Sequence, residues 1–279
     1  MKNVLTVDVE DYFHVAALSE TIRVEDWVSI SPRVVENTRR LLDLFDRHSV
    51  KATHFILGWV AERFPELVRE IDTRGHEVAS HGYSHQLVYE QTPELFHQET
   101  KKSKEILEDI LGKQVTGYRA ASYSITKKSL WALDILSELG FKYDSSIFPI
   151  RHDRYGIPDA EPLPHKLKTP KGNQIIEFPL TTSTLFGVKL PAAGGGYFRL
   201  YPYMLSKFLL RRVQKRNKPI VFYLHPWEID HAQPRVKVSA FSRFRHYNNL
   251  DKCEQRLDRL LYDFSFSTMS DVLKRQKLL

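Results

Sequence analysis

Three carboxylates stand within four residues, Asp8, Glu10 and Asp11 in the run VDVEDYFHV, directly after an apolar stretch that begins at Val4. Like charges this close repel one another and are costly to bury unpartnered. Their collection at one point therefore indicates use of negative charge, either to move a proton or to hold a cation. A second group is SHGYSH, which sets His81 and His85 four residues apart. Two imidazoles at that spacing lie on one face of a helical turn and can chelate one cation, although a chain with 12 histidines also offers such a pair by chance. Two histidines and a carboxylate, with one position left for water, make a catalytic zinc arrangement. GYRAASY then presents Arg119 and FYLHPWEID presents His225, each after a strand-like run. Taken singly, the arginine could pair with a surface acid and the histidine could be a packed turn residue before Pro226. Taken together, a cation, a carboxylate base, an arginine that keeps the base ionised and a histidine that donates a proton are the parts of a metal-assisted hydrolase.

Such groups must be brought together by the elements that carry them. Strand-like runs at residues 4–9, 52–57, 77–80, 117–120, 142–144, 174–178, 220–224 and 264–269 alternate with helical patterns, which argues for a parallel α/β sheet. About eight such units predict a distorted (β/α) barrel of seven or eight strands, like a TIM barrel, with ligands at the C-terminal ends of the strands. All four motifs then face one mouth. The first helix is expected with Ser31 as its N-cap and Pro32 in its first turn, burying Val34, Thr38, Leu41, Leu42 and Phe45. Thr92 and Thr126 are expected to open two more helices that Gly112 and Gly140 close. Residues 151–172, rich in proline and charge, read as a long loop of the kind that forms lids. Residues 181–199 contain AAGGGYFR, which lacks the Gly-Lys-Ser/Thr of a nucleotide-binding loop, so a phosphate cradle there is disfavoured. Residues 230–249 read as a further polar insertion before a final helix, strand and helix.

Composition bounds the rest. The 279 residues, 42% hydrophobic, suffice for one large core, and no repeat or internal boundary divides them, so a single domain over 1–279 is expected, with an extension from about residue 230. No leader pattern and no apolar run of membrane-spanning length is visible, which places the chain in the cytoplasm on this reading. The lone Cys253 falls in a helical pattern and reads as a buried thiol. The net charge of +7 is concentrated in KFLLRRVQKRNK, residues 207–218, where Phe208, Leu209 and Val213 are expected to face the core. Such a helix suits peripheral contact with an anionic inner-membrane surface; a solvated helix face is the more ordinary reading. No nucleic-acid motif accompanies it, and no nucleic-acid partner is expected.

TVDVED, SHGYSH, YRAASY, YDSSIFP and FYLHPWE occur in the order and rough spacing of the five motifs of the polysaccharide deacetylases, the NodB-homology or carbohydrate esterase family 4 proteins, and the chain resembles them from Val4 to about Trp227. DVED, HPWEI and the tail after Asp230 are most similar to the intracellular subfamily encoded with exosortase-linked exopolysaccharide loci. The resemblance implies removal of N-acetyl groups from N-acetylhexosamine residues of a polysaccharide or its precursor, with one divalent ion, zinc by preference and cobalt, manganese or nickel as substitutes. It implies Asp8 as catalytic base, His81 and His85 as metal ligands, Arg119 as the arginine that orients the base and His225 as general acid. Where the family has two adjacent aspartates this chain has Asp8 and Val9, so the second acid must be chosen between Glu10 and Asp11. Glu10 ranks first because it shares the strand face of Asp8. Tyr123, Asp144 and Trp227 are implied at the substrate pocket, Asp144 also as support for His225, and a backbone N–H around Tyr123 is expected to hold the oxyanion. Three other readings remain at this stage: a deformylase or deacetylase of a lipid-linked amino sugar, an allantoinase-like cyclic amidase, and a non-catalytic carbohydrate-binding protein.

Overall fold

The computed structural model describes residues 2–152, 154–216 and 218–279. Eleven strands form: β1 Asn3–Val9, β2 Thr53–Ile56, β3 Glu77–Ser80, β4 Gly117–Tyr118, β5 Tyr143–Asp144, β6 His165–Lys168, β7 Gln174–Glu177, β8 Thr182–Leu185, β9 Val188–Pro191, β10 Val221–Leu224 and β11 Phe266–Ser267. Nine of them make one sheet in the order β10-β1-β2-β3-β4-β5-β7-β6, with β11 beside the start of β1, and β8–β9 is a separate hairpin. All ladders of the large sheet are parallel except β6–β7. The ordered path runs from β10 to β6 with no ladder joining these ends among the described residues, so the barrel is a curled, incomplete one.

Ten helices accompany the strands: α1 Val34–Arg47, α2 Gly58–Arg63, α3 Pro65–Thr73, α4 Pro93–Leu111, α5 Trp131–Glu138, α6 Gly195–Leu200, α7 Tyr203–Gln214, α8 Ala240–Tyr247, α9 Leu250–Asp263 and α10 Met269–Arg275. β1 explains how the two cores arise. All seven of its residues are buried, and successive side chains alternate between faces. Leu5, Val7 and Val9 pack outward against the helices, while Val4 points inward with Phe55, Val221 and Met269. Asp8 and Glu10 share the parity of Val4 and so reach the interior. At the N-terminal end of the strands α10 plugs that interior, its Met269 N–H donating to Thr53 Oγ1 at 2.8 Å.

Several local expectations need correction. α1 begins at Val34 and its capping residue is Arg33, not Ser31; the cap oxygen comes from Asp11, whose Oδ2 accepts from the N–H groups of Arg33 (2.5 Å) and Val34 (2.8 Å). The third carboxylate of the opening cluster is thus a helix cap reached across the fold. Thr92 does cap α4 and Gly112 ends it in a left-handed conformation, but Thr126 is followed by a turn and α5 starts only at Trp131. On α7, Leu209 and Val213 are buried, whereas Phe208 is 50% exposed. The stretches read as irregular contain β6, the β8–β9 hairpin, α6 and α8. Cys253 is buried, as expected, with its thiol held protonated by burial. No helix among the described residues is long and apolar enough to cross a membrane.

Candidate active site

The inner face of β1 sets the first groups. Asp8, at its C-terminal end, accepts from Arg119 Nη1 at 2.6 Å. Arg119 is fully buried, and its guanidinium also donates to Thr6 Oγ1 (2.8 Å), Ser145 O (3.1 Å) and Ser145 Oγ (3.0 Å) while lying 4.1 Å over the Phe55 ring. A buried ion pair is tolerable when its remaining donors are satisfied in this way. Burial opposes the charge of Arg119, and the charge of Asp8 more than restores it.

One residue beyond β1, Glu10 faces the histidine pair. His81 follows β3, and its Nδ1 lies 2.8 Å from the carbonyl of Arg119. A carbonyl can only accept, so Nδ1 carries the proton and Nε2 is left with a lone pair. Burial lowers the pKa of His81 to about 4, keeping it neutral near pH 7. The two histidines do not lie on a helical turn: the chain bends through Gly82, and His85 takes φ +55°. A non-glycine residue in the left-handed region is characteristic of positions held for function. The bend brings the rings to 5.3 Å and His85 Nε2 to 2.7 Å from Glu10 Oε2. That oxygen is buried without a well-formed hydrogen bond, and one ligand atom each from Glu10, His81 and His85 lies within 4.8 Å of the others. A buried carboxylate oxygen met only by the His85 ring, with His81 beside it, suits a shared cation. Burial opposes ionisation of Glu10, yet the charge and close approach of His85, with the charges of His225 and His81, hold it well below the usual carboxylate range. Asp11, occupied at α1, has no part in this cluster.

His225 approaches from β10. Its Nδ1 lies 2.8 Å from Glu228 Oε1, and its Nε2 stands 3.8 Å from Asp8 Oδ2 and 3.6 Å from Glu10 Oε1. Burial works against an imidazolium here, but the Glu228 hydrogen bond and the charges of Glu10, Glu228 and Asp8 raise its pKa to about 9. Glu228 is in turn held to about 2, its burial outweighed by Arg199 at 2.6 Å and by His225. Arg199 is buried and donates to the carbonyls of Arg245, His246 and Asn248, tying α6 to the end of α8. The Trp227 ring stacks between His225 and His246 and donates its indole N–H to Glu10 Oε1 at 3.2 Å.

These groups open into a cavity of about 270 Å³. Tyr123 and Trp227 line it, as the sequence implied. Ser122 and Tyr123 are consecutive left-handed residues, and the Tyr123 hydroxyl is 3.4 Å from Asp8 Oδ2. The N–H of Tyr123 itself donates to Ala120 O, so it is not the backbone N–H around Tyr123 that faces the cavity. Asp144 does not line the cavity and does not support His225. It ends β5 opposite Glu177, accepts from Ser146 Oγ at 2.5 Å, and is raised to about 6 by burial. Ser146 in turn receives the Ala120 N–H, so the YDSS segment braces the Arg119 loop. The lid-like loop and the polar insertion meet over the rim, where His152 stacks on Tyr155 and lies 2.8 Å from Arg245 of α8. Sequence reading missed Glu228, Arg199 and His246. Only Glu228 carried a local signal, a carboxylate three residues after His225.

Comparison with known proteins matches residues 26–143 to the family model described as polysaccharide deacetylase. The chain carries a polysaccharide deacetylase domain. Residues 145–274 match a second model, a domain of unknown function (DUF3473). The site draws on both matched regions: His81, His85 and Arg119 fall in the first, and Arg199, His225, Trp227, Glu228 and His246 in the second. Asp8 and Glu10 precede both. A peptidoglycan deacetylase from Helicobacter pylori is 37% identical over 108 residues, 39% of this chain and 36% of that protein. The matches span about a third of the length of the curated relatives. A Mycobacterium smegmatis protein classed with the polysaccharide deacetylases superposes with a TM-score of 0.65 at 19% identity, covering 100% of this chain and 92% of that one. PuuE allantoinase gives 0.61 at 17%, covering 97% and 88%. At such identities these likenesses speak for the fold alone.

Proposed function

We propose that the protein is a metal-dependent N-deacetylase acting on N-acetylhexosamine residues of a polysaccharide or its precursor. The observation that carries this reading is the convergence of an arginine-paired carboxylate, a two-histidine, one-carboxylate cluster and a carboxylate-backed histidine on one cavity. On this reading Glu10, His81 and His85 hold one divalent ion, zinc by preference for imidazole and carboxylate donors, with cobalt, manganese or nickel able to replace it. When bound it supplies Lewis-acid polarisation of a water and of the acetamide carbonyl. Asp8, paired with Arg119, accepts the proton of the attacking water. His225, protonated at Nε2, delivers a proton to the departing amine nitrogen, which cannot leave as an amide anion. Glu228 holds the His225 Nδ1–H and keeps the ring charged until that transfer. Tyr123 and Trp227 form walls for the sugar.

The two matched regions act as one unit on this proposal, because the base and the acid come from opposite sides of residue 145. The allantoinase shares the fold but not thereby the chemistry; the Glu10–His81–His85 cluster favours the metal-dependent amide hydrolase over it and over a non-catalytic carbohydrate binder. The outward face of α7, with Met204 70% and Phe208 50% exposed among its cations, supports peripheral contact with an anionic membrane surface.

Acetate release from N-acetylglucosamine oligomers, with and without chelator, tests the reading. The wild type is expected to hold about one divalent ion per chain and to lose both ion and activity on chelation. Metal analysis of the His81→Ala, His85→Ala double variant is expected to find none, and stoichiometric metal there would overturn the site.

A further inference from the structure

Away from the mouth, residues 178–227 contain no aspartate or glutamate and carry eight lysines and arginines. Four of these, Lys189, Arg212, Arg216 and Lys218, converge on a cleft of about 70 Å³ between the β8–β9 hairpin and the C-terminal end of α7. The opposite wall is the hydroxyl run of residues 181–184, and among the described residues no carboxylate lines the cleft. It shares no lining residue with the active-site cavity.

The partners of these groups leave donor capacity unused. Lys189 gives one hydrogen bond to Pro158 O (2.6 Å), and Arg212 gives its Nε–H to Thr184 O (2.9 Å), which leaves both Nη groups. Arg216 and Lys218 have no side-chain hydrogen bond or ion pair among the described residues. Ser183, which also lines the cleft, is 1% exposed and its hydroxyl has no partner. The one counter-charge felt here among the described residues is the exposed Asp159, which Lys189 shares with Lys127; four cations so placed repel one another, and a multiply charged oxyanion relieves that repulsion while accepting from guanidinium, ammonium and hydroxyl donors together. We propose that this cleft is a binding site for a phosphoryl group. Its volume is about twice a water molecule's share of the liquid, enough for one such group. The hairpin tip beside it exposes Phe186 (93%) and Val188 (59%), so the group could be carried by a lipid headgroup as well as by a free phosphorylated ligand.

The test is calorimetric titration of the intact protein with inorganic pyrophosphate at constant ionic strength, set against sedimentation with phosphatidylcholine vesicles containing phosphatidic acid. The Arg216→Gln, Lys218→Gln double variant is expected to bind at least tenfold more weakly while deacetylating N-acetylglucosamine oligomers at the wild-type rate, which separates the cleft from the metal site. Variant-sensitive binding of pyrophosphate alone identifies a free phosphorylated ligand; variant-sensitive binding of the vesicles identifies a headgroup. Absence of saturable binding in both arms, or binding unchanged in the double variant, overturns the proposal.

Discussion

Two groups of histidines occupy opposite ends of the same sheet, and they differ in almost every chemical respect. At the C-terminal ends, His81, His85 and His225 face Asp8, Glu10 and Glu228. At the N-terminal ends, His54 at the start of β2 and His76 before β3 lie against Phe45 of α1, their rings 4.9 Å apart. His76 accepts the Ala52 N–H at 3.1 Å, but among the described residues its Nε2 and both nitrogens of His54 lack a well-formed hydrogen bond. Burial drives His76 down to about 4 and His54 well below its usual value. His225, partly open to the cavity, is raised to about 9 by its carboxylate neighbours. Burial alone produces an inert neutral imidazole, whereas burial beside carboxylates produces an acid.

The strongest test of that contrast removes proton transfer at the mouth. Asp8→Asn and His225→Ala are each expected to lower turnover by on the order of a hundredfold or more with metal content and melting temperature retained; wild-type rates of acetate release in either variant would break the assignment. Next in size is the acid response of the other end. A folded pKa below the unfolded value means that the unfolded chain takes up the proton first, so this stability is full above about pH 6.5 and is lost as pH falls from there to about 4. For His76 the loss is on the order of 3 kcal/mol. His76→Asn, which keeps an acceptor for Ala52, is expected to make denaturant-measured stability of the metal-free protein fall less steeply across that window, without altering kcat of the metal-loaded protein. An unchanged slope would show that these rings do not titrate on unfolding.

A smaller effect sharpens the role of Glu228. Glu228→Gln removes the charge that favours imidazolium, so the alkaline limb of the rate profile is expected to move to lower pH, with turnover at pH 8 down about tenfold. A limb that stays in place would assign Glu228 to packing alone. The smallest effect separates neighbouring acids. Asp11→Ala deletes the α1 cap and is expected to cost about 1–2 kcal/mol of stability with metal content intact, while Glu10→Ala loses the metal.

How much of this was legible depended on whether the cause was local. The eight parallel strands announced themselves as buried apolar runs, and the His81–His85 pair and Asp8 by position and spacing. β6 and β9 were not, because their half-exposed faces carry mixed polar patterns, HKLK and VKLP, with no long apolar run. Asp11 read as one more candidate ligand because its real partners, the N–H groups of Arg33 and Val34, lie across a turn of 22 residues. Arg199 sat in a glycine-rich run whose only evident meaning was a phosphate loop, and its partner Glu228 is 29 residues away. Asp144 looked like a pocket group by motif, yet strand pairing with β7 turns it toward Glu177.

The placing of β1 between β2 and β10 also governs how the protein can be made. Val4 pairs with Val221 and Asn3 with Phe266, so the strand that presents Asp8 and Glu10 leaves the ribosome 217 residues ahead of its neighbour on one side. At about 5–20 residues per second, that is on the order of ten seconds or more during which one edge of a strand destined for full burial waits without its ladder. Nascent chains stalled before β10 would display β1 to whatever holdase is at hand, and the mouth could acquire its base and its acid together only once His225 has left the ribosome.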